Sequence, residues 1–270
     1  MSVDRNIEAE KGNRKHWDEL ADVHSRSYNL DPLFNGGHVL DDIQLGEVGD
    51  VKGKSLLHLQ CHIGSDTLSW ARLGAEVTGV DISPLSLRSA REISERTGLK
   101  GRFIESSLFD LPEHLNEKFD IVYTSEGVLC WLSDLKEWGR LINRYLKPGG
   151  FFYLFESHPF IHVFDDESEG LTVRYPYFHS KEPNRWPADY PDYSDGDYTV
   201  KNPSWEWTWS FSDILNSLID AGLKLEFLHE HECISWKCIP SMIKDSDRWY
   251  RLPENYPALP VMYSLQARKS

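Results

Sequence analysis

The 270-residue sequence predicts an α/β fold in which strands alternate with helices around a mostly parallel sheet. Two observations carry this expectation. Between Gly53 and Phe155, short apolar runs alternate with longer segments of helical periodicity. Within that region, Leu56-Leu57-His58-Leu59-Gln60-Cys61-His62-Ile63-Gly64 reads as a strand running into a tight turn that ends in glycine. After a short helix, Glu76-Val77-Thr78-Gly79-Val80-Asp81 reads as a second strand that stops on a carboxylate. This is the layout of a nucleotide-binding βαβ unit.

Taken in order, residues 1–14 form a polar, charged tail, and residues 15–24 place Trp17, Leu20, Ala21 and His24 on one face of a short amphipathic helix. Residues 28–50, with Asp31-Pro32 and Gly36-Gly37, read as a loop-rich approach to the first strand. That strand is short and apolar, as expected for a parallel strand buried on both faces. Gly64 lets the backbone approach a ligand closely before a helix over 66–73, whose free N–H groups point outward. Asp81 lies seventeen positions beyond Gly64, close to the spacing of about 20 at which an acid ending the second strand binds ribose hydroxyls. A helix then starts at Pro84 and stops before Gly98. Strands over 102–105, 118–125 and 151–156 and a helix over 134–146 complete the alternation. The fourth strand delivers Ser125 and Glu126 to the same edge as Gly64 and Asp81.

Beyond Glu156 the pattern changes. Residues 157–209 are rich in proline, tyrosine and tryptophan, with little regular periodicity, which suits an ordered cover over a site. Ser210 and Asp213 have capping-box spacing for a helix ending before Gly222, and strands follow over 223–230 and 261–267. Residues 231–260 form a second insertion.

The order of these residues resembles class I S-adenosylmethionine-dependent methyltransferases. Gly64 matches the last glycine of the family's turn and Asp81 its ribose-binding acid; Leu146-Lys147-Pro148-Gly149-Gly150 matches the turn before its fifth strand. The resemblance spans about residues 50–157. It departs at His58, where the family has an acid, and at Gln60 and His62, where it has its first two glycines.

The resemblance implies a Rossmann-like seven-stranded, mostly parallel sheet with an antiparallel last strand, helices on both faces, and aromatic-rich insertions after strands 5 and 6. All 270 residues then form one domain: a core of about 50–157, 210–230 and 261–268, cap insertions of about 158–209 and 231–260, and the helix of 15–24. S-adenosylmethionine is the implied cofactor. Gln60 and Gly64 would contact it at the turn, Asp81 at the ribose, Ile82 and Leu108 around adenine, Ser107 near the adenine amino group, and Ser125 and Glu126 at the methionine end. Trp17 and Tyr28 either close over the cofactor or pack on the domain. The implied function is methyl transfer to a small-molecule acceptor, with a binding protein lacking transfer activity or an NAD-dependent enzyme as alternatives.

Composition narrows the partners. With 43 acidic against 29 basic residues the formal charge is −14, which argues against nucleic acid and anionic membranes and favours a small acceptor. Four cysteines without a CxxC pair, no apolar signal core and no transmembrane-length run lead to the expectation of a cytoplasmic protein with free thiols.

Methyl transfer from a sulfonium needs proximity, orientation and a dry site more than it needs acid catalysis. Where the acceptor must lose a proton, His158, just past the fifth strand, is the first candidate base and Glu126 the second; alternatively His158 is a turn residue before Pro159. His229, His231 and Cys233 alternate along a strand but have no second cluster to complete a metal site, so no metal is expected. The rings of the first insertion either cage an amine or form a structural face.

Overall fold

The computed structural model describes residues 5–245 and 248–270. The first four residues of the expected polar tail and two residues of the second insertion therefore lie outside the description. One seven-stranded sheet runs through the protein, from β1 (Ser55–Leu59), β2 (Glu76–Asp81), β3 (Gly101–Glu105), β4 (Phe119–Ser125) and β5 (Leu146–Ser157) to β8 (Leu223–His231) and β11 (Met262–Lys269). Its order is β3-β2-β1-β4-β5-β11-β8, with β1 to β5 parallel and β11 antiparallel to both of its neighbours. β11 thus lies inside the sheet and β8 forms the edge. Two short antiparallel ribbons, β6 (Asn184–Trp186) with β7 (Ser204–Glu206) and β9 (Ile243–Lys244) with β10 (Tyr250–Arg251), belong to the insertions.

β1 pairs with β2 on one side and with β4 on the other, Leu57 facing both Thr78 and Val122. The chain reverses its winding at this strand pair, and the carboxyl ends of β1 and β4 diverge there to leave a crevice. Both faces of β1 are buried, as its apolar run requires. Leu57, Leu59, Val122, Phe152 and Leu154 pack on one face against α7 (Leu135–Tyr145) and α8 (Phe211–Asp220). Leu56, Ile121, Tyr153 and Phe155 pack on the other with Trp70 of α4 (Ser65–Arg72) and Val48 of α3 (Asp42–Val48).

The local signals act as expected. In α5 (Pro84–Thr97) the Ser83 side chain caps the Ser86 N–H and Gly98 closes the helix at φ 67°. Ser210 and Asp213 form a full capping box at α8. α7 and α8 touch at Gly139, where an added Cβ would lie 2.3 Å from the Ser217 carbonyl oxygen, so the approach excludes any larger residue.

The N-terminal segment differs from expectation. The first helix, α1 (Ile7–Ser27), has 21 residues instead of the ten expected, and two further helices, α2 (Asp31–Phe34) and α3, interrupt the presumed loop. The physical reason is that α1 buries polar residues. Asn6 caps it, Glu10 pairs with Arg5, and Asn13 exchanges two hydrogen bonds with the Trp205 backbone. A hydropathy pattern cannot show a face built this way. A last short helix, α6 (Leu111–His114), precedes β4.

The first insertion docks on α1. Glu19 of α1 accepts hydrogen bonds from the Tyr198 hydroxyl at 2.8 Å, the Lys201 N–H at 2.7 Å and the Asn202 N–H at 2.9 Å.

Candidate functional site

The turn after β1 is built from two residues in the left-handed region that glycine normally fills: Gln60 at φ 57° and His62 at φ 48°. Each non-glycine residue there costs on the order of 1–3 kcal/mol, and the surroundings hold both in place. The Gln60 side-chain amide donates to the Val128 carbonyl at 3.0 Å, which ties the β1 turn to the loop after β4. The His62 N–H donates to Asp81 Oδ2 at 2.8 Å. Gly64 follows at φ 73°, where an added Cβ would lie 2.8 Å from the Ala90 Cβ.

Asp81 closes the other side of this turn. Its second oxygen accepts from the Ser83 N–H at 2.8 Å, and the residue is buried. Burial pushes its carboxyl up to about 6, against those backbone hydrogen bonds. His58, in the family's acid position, is enclosed with its Nδ1 2.8 Å from the Thr67 hydroxyl, and burial pushes it down to about 3, so the ring is neutral.

At the end of β4 the Ser125 hydroxyl donates to Asp66 at 3.0 Å, and Glu126 stands at φ 37°. Ser235 donates to Glu126, and Arg248 lies 3.1 Å from Glu126 and 3.2 Å from Asp41. Burial drives the Glu126 carboxyl up to about 7, opposed by Arg248 and Ser235 and reinforced by the Asp66 and Asp41 charges. The loop beyond is held by Glu156, at the end of β5. Its carboxylate accepts from the N–H groups of Gly127 and Val128, both at 2.7 Å, and of Leu129 at 3.3 Å. Glu156 and Arg248 carry no local sequence signal, because these partners are remote along the chain; Asp41 caps α3 at Gln44, a local signal that says nothing of Arg248.

α1 crosses over these strand ends. The Trp17 ring meets His62 at 5.0 Å and Trp131 at 5.1 Å, and Asp18 accepts from Ser83 at 2.7 Å. His24 Nδ1 lies 2.8 Å from His62 Nε2, and His24 Nε2 lies 3.2 Å from Asp192 of the first insertion. Tyr28 stacks on His24 and hydrogen bonds Tyr193. His62, pushed well down by burial, is neutral between Ser86 and His24. Leu108 is buried and Ile82 partly exposed just past β3 and β2. Ser107 donates to Glu10 of α1 at 3.0 Å.

Gln60, Gly64, Asp81, Ser125, Glu126, Trp17 and Tyr28 thus gather at one end of the sheet. His158 stands apart. Its Nδ1 accepts from the Phe160 N–H at 3.1 Å, its Nε2 is 3.1 Å from Glu230 without hydrogen-bond alignment, and its ring packs on Phe211 and Tyr263 beside β11. His229 and His231 turn to Glu47 and Ser264, and no group of three potential metal ligands occurs among the described residues. A groove of about 380 Å³ lined by Ser55, Glu76, Lys100, Arg102 and Glu117 lies at the opposite, amino-terminal end of the strands, away from these groups.

Residues 57–154, which span β1 to β5 and every strand end just described, match the family model "Methyltransferase domain". Over those residues the chain is similar to methyltransferases. Among relatives of this chain, Methyltransferase phqN of Penicillium fellutanum is 35% identical over 109 residues, 39% of this chain and 33% of the relative. The ubiquinone biosynthesis O-methyltransferase of Proteus mirabilis is 29% identical over 137 residues, 49% of this chain and 56% of the relative. The chain therefore spans about a third and about half of the length of these two relatives. A solved S-adenosylmethionine-dependent methyltransferase from Clostridium acetobutylicum shares the fold, with a TM-score of 0.57 at 14% identity over 94% of this chain and 99% of that one. Among the described residues, no helix is long and apolar enough to cross a membrane.

The residues present fit the family's cofactor, S-adenosylmethionine. Gln60 Oε1 is buried without a hydrogen-bond partner, an open acceptor at the turn. Asp81 supplies a carboxylate at the end of β2, and Gly64, with no side chain, lets the turn pack closely on Ala90 and Phe103.

Proposed function

We propose that this protein transfers a methyl group from S-adenosylmethionine to a small-molecule acceptor held beneath the first insertion, with residues 158–209 and 231–260 acting as caps on one domain. The observation that carries the proposal is the unpartnered Gln60 Oε1 facing a turn that Asp81 closes, because a buried acceptor without a donor costs about 1–3 kcal/mol unless a ligand supplies one. Gln60 receives the ammonium at the methionine end, Asp81 the ribose hydroxyls, and Ile82 and Leu108 flank the adenine, with Ser107 at its amino group. Ser125 and Glu126 face the reacting end, and Trp17 and Tyr28 close the site through α1.

When bound, the cofactor supplies an electrophilic methyl group on a sulfonium, whose departure needs no protonation. The chain's own task is then to orient the acceptor and exclude water. Glu126 is the base for acceptors that must lose a proton, since its carboxyl sits near neutrality at the end of β4. His158 has one nitrogen occupied by Phe160 and faces Glu230, which favours Glu126 over it. Relatives that include a ubiquinone biosynthesis O-methyltransferase support a small acceptor.

The test is calorimetric titration with S-adenosylhomocysteine and with NAD, followed by incubation with S-adenosylmethionine and a pool of small metabolites. Binding of S-adenosylhomocysteine alone, with its accumulation in the presence of the pool, is the expected result. Binding of NAD instead, or no turnover with any fraction of the pool, overturns it.

A further inference from the structure

The ribbon of β6 and β7 has two unlike faces. Trp205 and Arg185 lie on one, where Trp205 presses against Gly12 of α1. Ser204, Glu206, Asn184 and Trp186 share the other, by the alternation of the strands. Glu206 on that face is half-enclosed; the Ser204 hydroxyl donates to it at 3.3 Å and the Trp186 indole N–H is directed at it. No lysine, arginine or histidine among the described residues pairs with it, and the other charge that bears on it is the carboxylate of Asp166.

Rings surround this carboxylate. The Trp186 indole N–H is buried and points to the Glu206 carboxylate without full alignment, and its ring meets Tyr175 edge to face at 5.6 Å. The Tyr190 phenol is close enough to feel the Glu206 charge. The next residue, Trp207, donates its N–H to the Cys130 carbonyl at 2.7 Å, which docks the ribbon on the loop after β4. From that loop Trp131 reaches Trp17, and Trp17 reaches His62 of the cofactor turn.

We propose that Glu206 anchors a positively charged group, an ammonium or quaternary amine, on the methyl acceptor. A carboxylate taken out of water without a cation is costly, and aromatic rings near it favour a cation over an anion. Burial holds this carboxyl at about 7, the state of a site that lacks its counter-ion. A protonated or quaternary nitrogen has no lone pair to accept a methyl group. The anchored group is therefore a handle, and the methylated atom lies elsewhere on the acceptor, toward Glu126 and Trp17. The protein's charge of −14 also favours the approach of a cation.

This inference rests on the methyl-transfer proposal, and its test separates the two. The probes are choline and its uncharged isostere 3,3-dimethyl-1-butanol, titrated into the full chain saturated with S-adenosylhomocysteine and followed by tryptophan fluorescence and calorimetry. Choline should bind, and the alcohol should bind at least about tenfold more weakly, as the loss of a charge-assisted contact to rings and carboxylate predicts. Glu206→Gln should remove the preference for choline, and Glu206→Asp should retain part of it. Circular dichroism verifies the fold of both variants, and Trp186→Leu serves as a second, independent probe of the cage. Equal binding of the two probes, or an unchanged choline preference in both Glu206→Gln and Trp186→Leu, overturns the anchor. Choline binding in a chain that fails to bind S-adenosylhomocysteine would leave the anchor standing and remove the methyltransferase reading.

Discussion

The backbone N–H of His62 donates to Asp81 Oδ2 at 2.8 Å, so the acid that ends β2 also holds the turn that ends β1. Asp81→Ala should therefore do more than remove a ribose acceptor. We expect S-adenosylhomocysteine affinity to fall by roughly tenfold to a hundredfold, with loss of about 1–2 kcal/mol of stability from the released turn. Paired calorimetry and denaturant unfolding check both numbers, and unchanged affinity would detach Asp81 from the cofactor.

Asp81 also sets a pH dependence. Its carboxyl at about 6 in the folded protein lies above the ordinary value near 4. The folded chain binds the extra proton, so this contribution to stability is complete below about pH 4 and is lost as the pH rises through about 6. Ribose binding needs the ionised form and runs the other way: S-adenosylhomocysteine should bind more weakly at pH 5 than at pH 7.5, by up to about tenfold. The dependence should vanish in Asp81→Asn.

Glu126, at about 7, predicts that turnover of a proton-losing acceptor rises with pH through neutrality and levels above it, because a base acts when deprotonated. Glu126→Gln should lower that turnover by about a hundredfold or more and abolish the rise. A pH profile of S-adenosylhomocysteine release that is unaltered in the variant would exclude Glu126 as the base.

Glu156→Gln replaces an acceptor of several backbone N–H groups by a side chain that presents one oxygen and a competing donor. A loss of about 2–4 kcal/mol is expected, and the amides of Gly127, Val128 and Leu129 should exchange faster with solvent deuterons. Hydrogen-exchange mass spectrometry reads the loop directly.

Gly139→Ala drives a methyl group to 2.3 Å from the Ser217 carbonyl oxygen, so α7 and α8 must separate. The cost is about 1–3 kcal/mol. Thermal unfolding should shift down by several degrees while S-adenosylhomocysteine affinity, set at the far edge of the sheet, holds.

The sheet was legible wherever one local cause acts. β1 and β2 are apolar and punctuated by glycine, α5 has Pro84 and Gly98 at its ends, and Ser210 with Asp213 marks the start of α8. Gln60 and His62 were visible as departures, though their left-handed backbone was not. What escaped has its cause at a distance. The first part of α1 is held by Asn202 and Trp205, and Arg5 just before it by Asp110, all far along the chain, and its buried Glu10, Asn13 and His16 look like solvent residues. Likewise Asp192 becomes meaningful only when folding sets it against His24.

α1 is fastened on three sides: to the turns at β1 and β2 through His24 and Asp18, to the loop after β4 through Trp17, and to the first insertion through Glu19. We propose that this fastening orders traffic at the strand ends in time: a nucleoside arriving at Asp81 would pass a helix that must first lift, and the used nucleoside would leave the same way. Under the proposed function, cofactor loads before acceptor, and exchange of spent for fresh cofactor, which breaks the contacts of Trp17 and His24, is the slow event of the cycle.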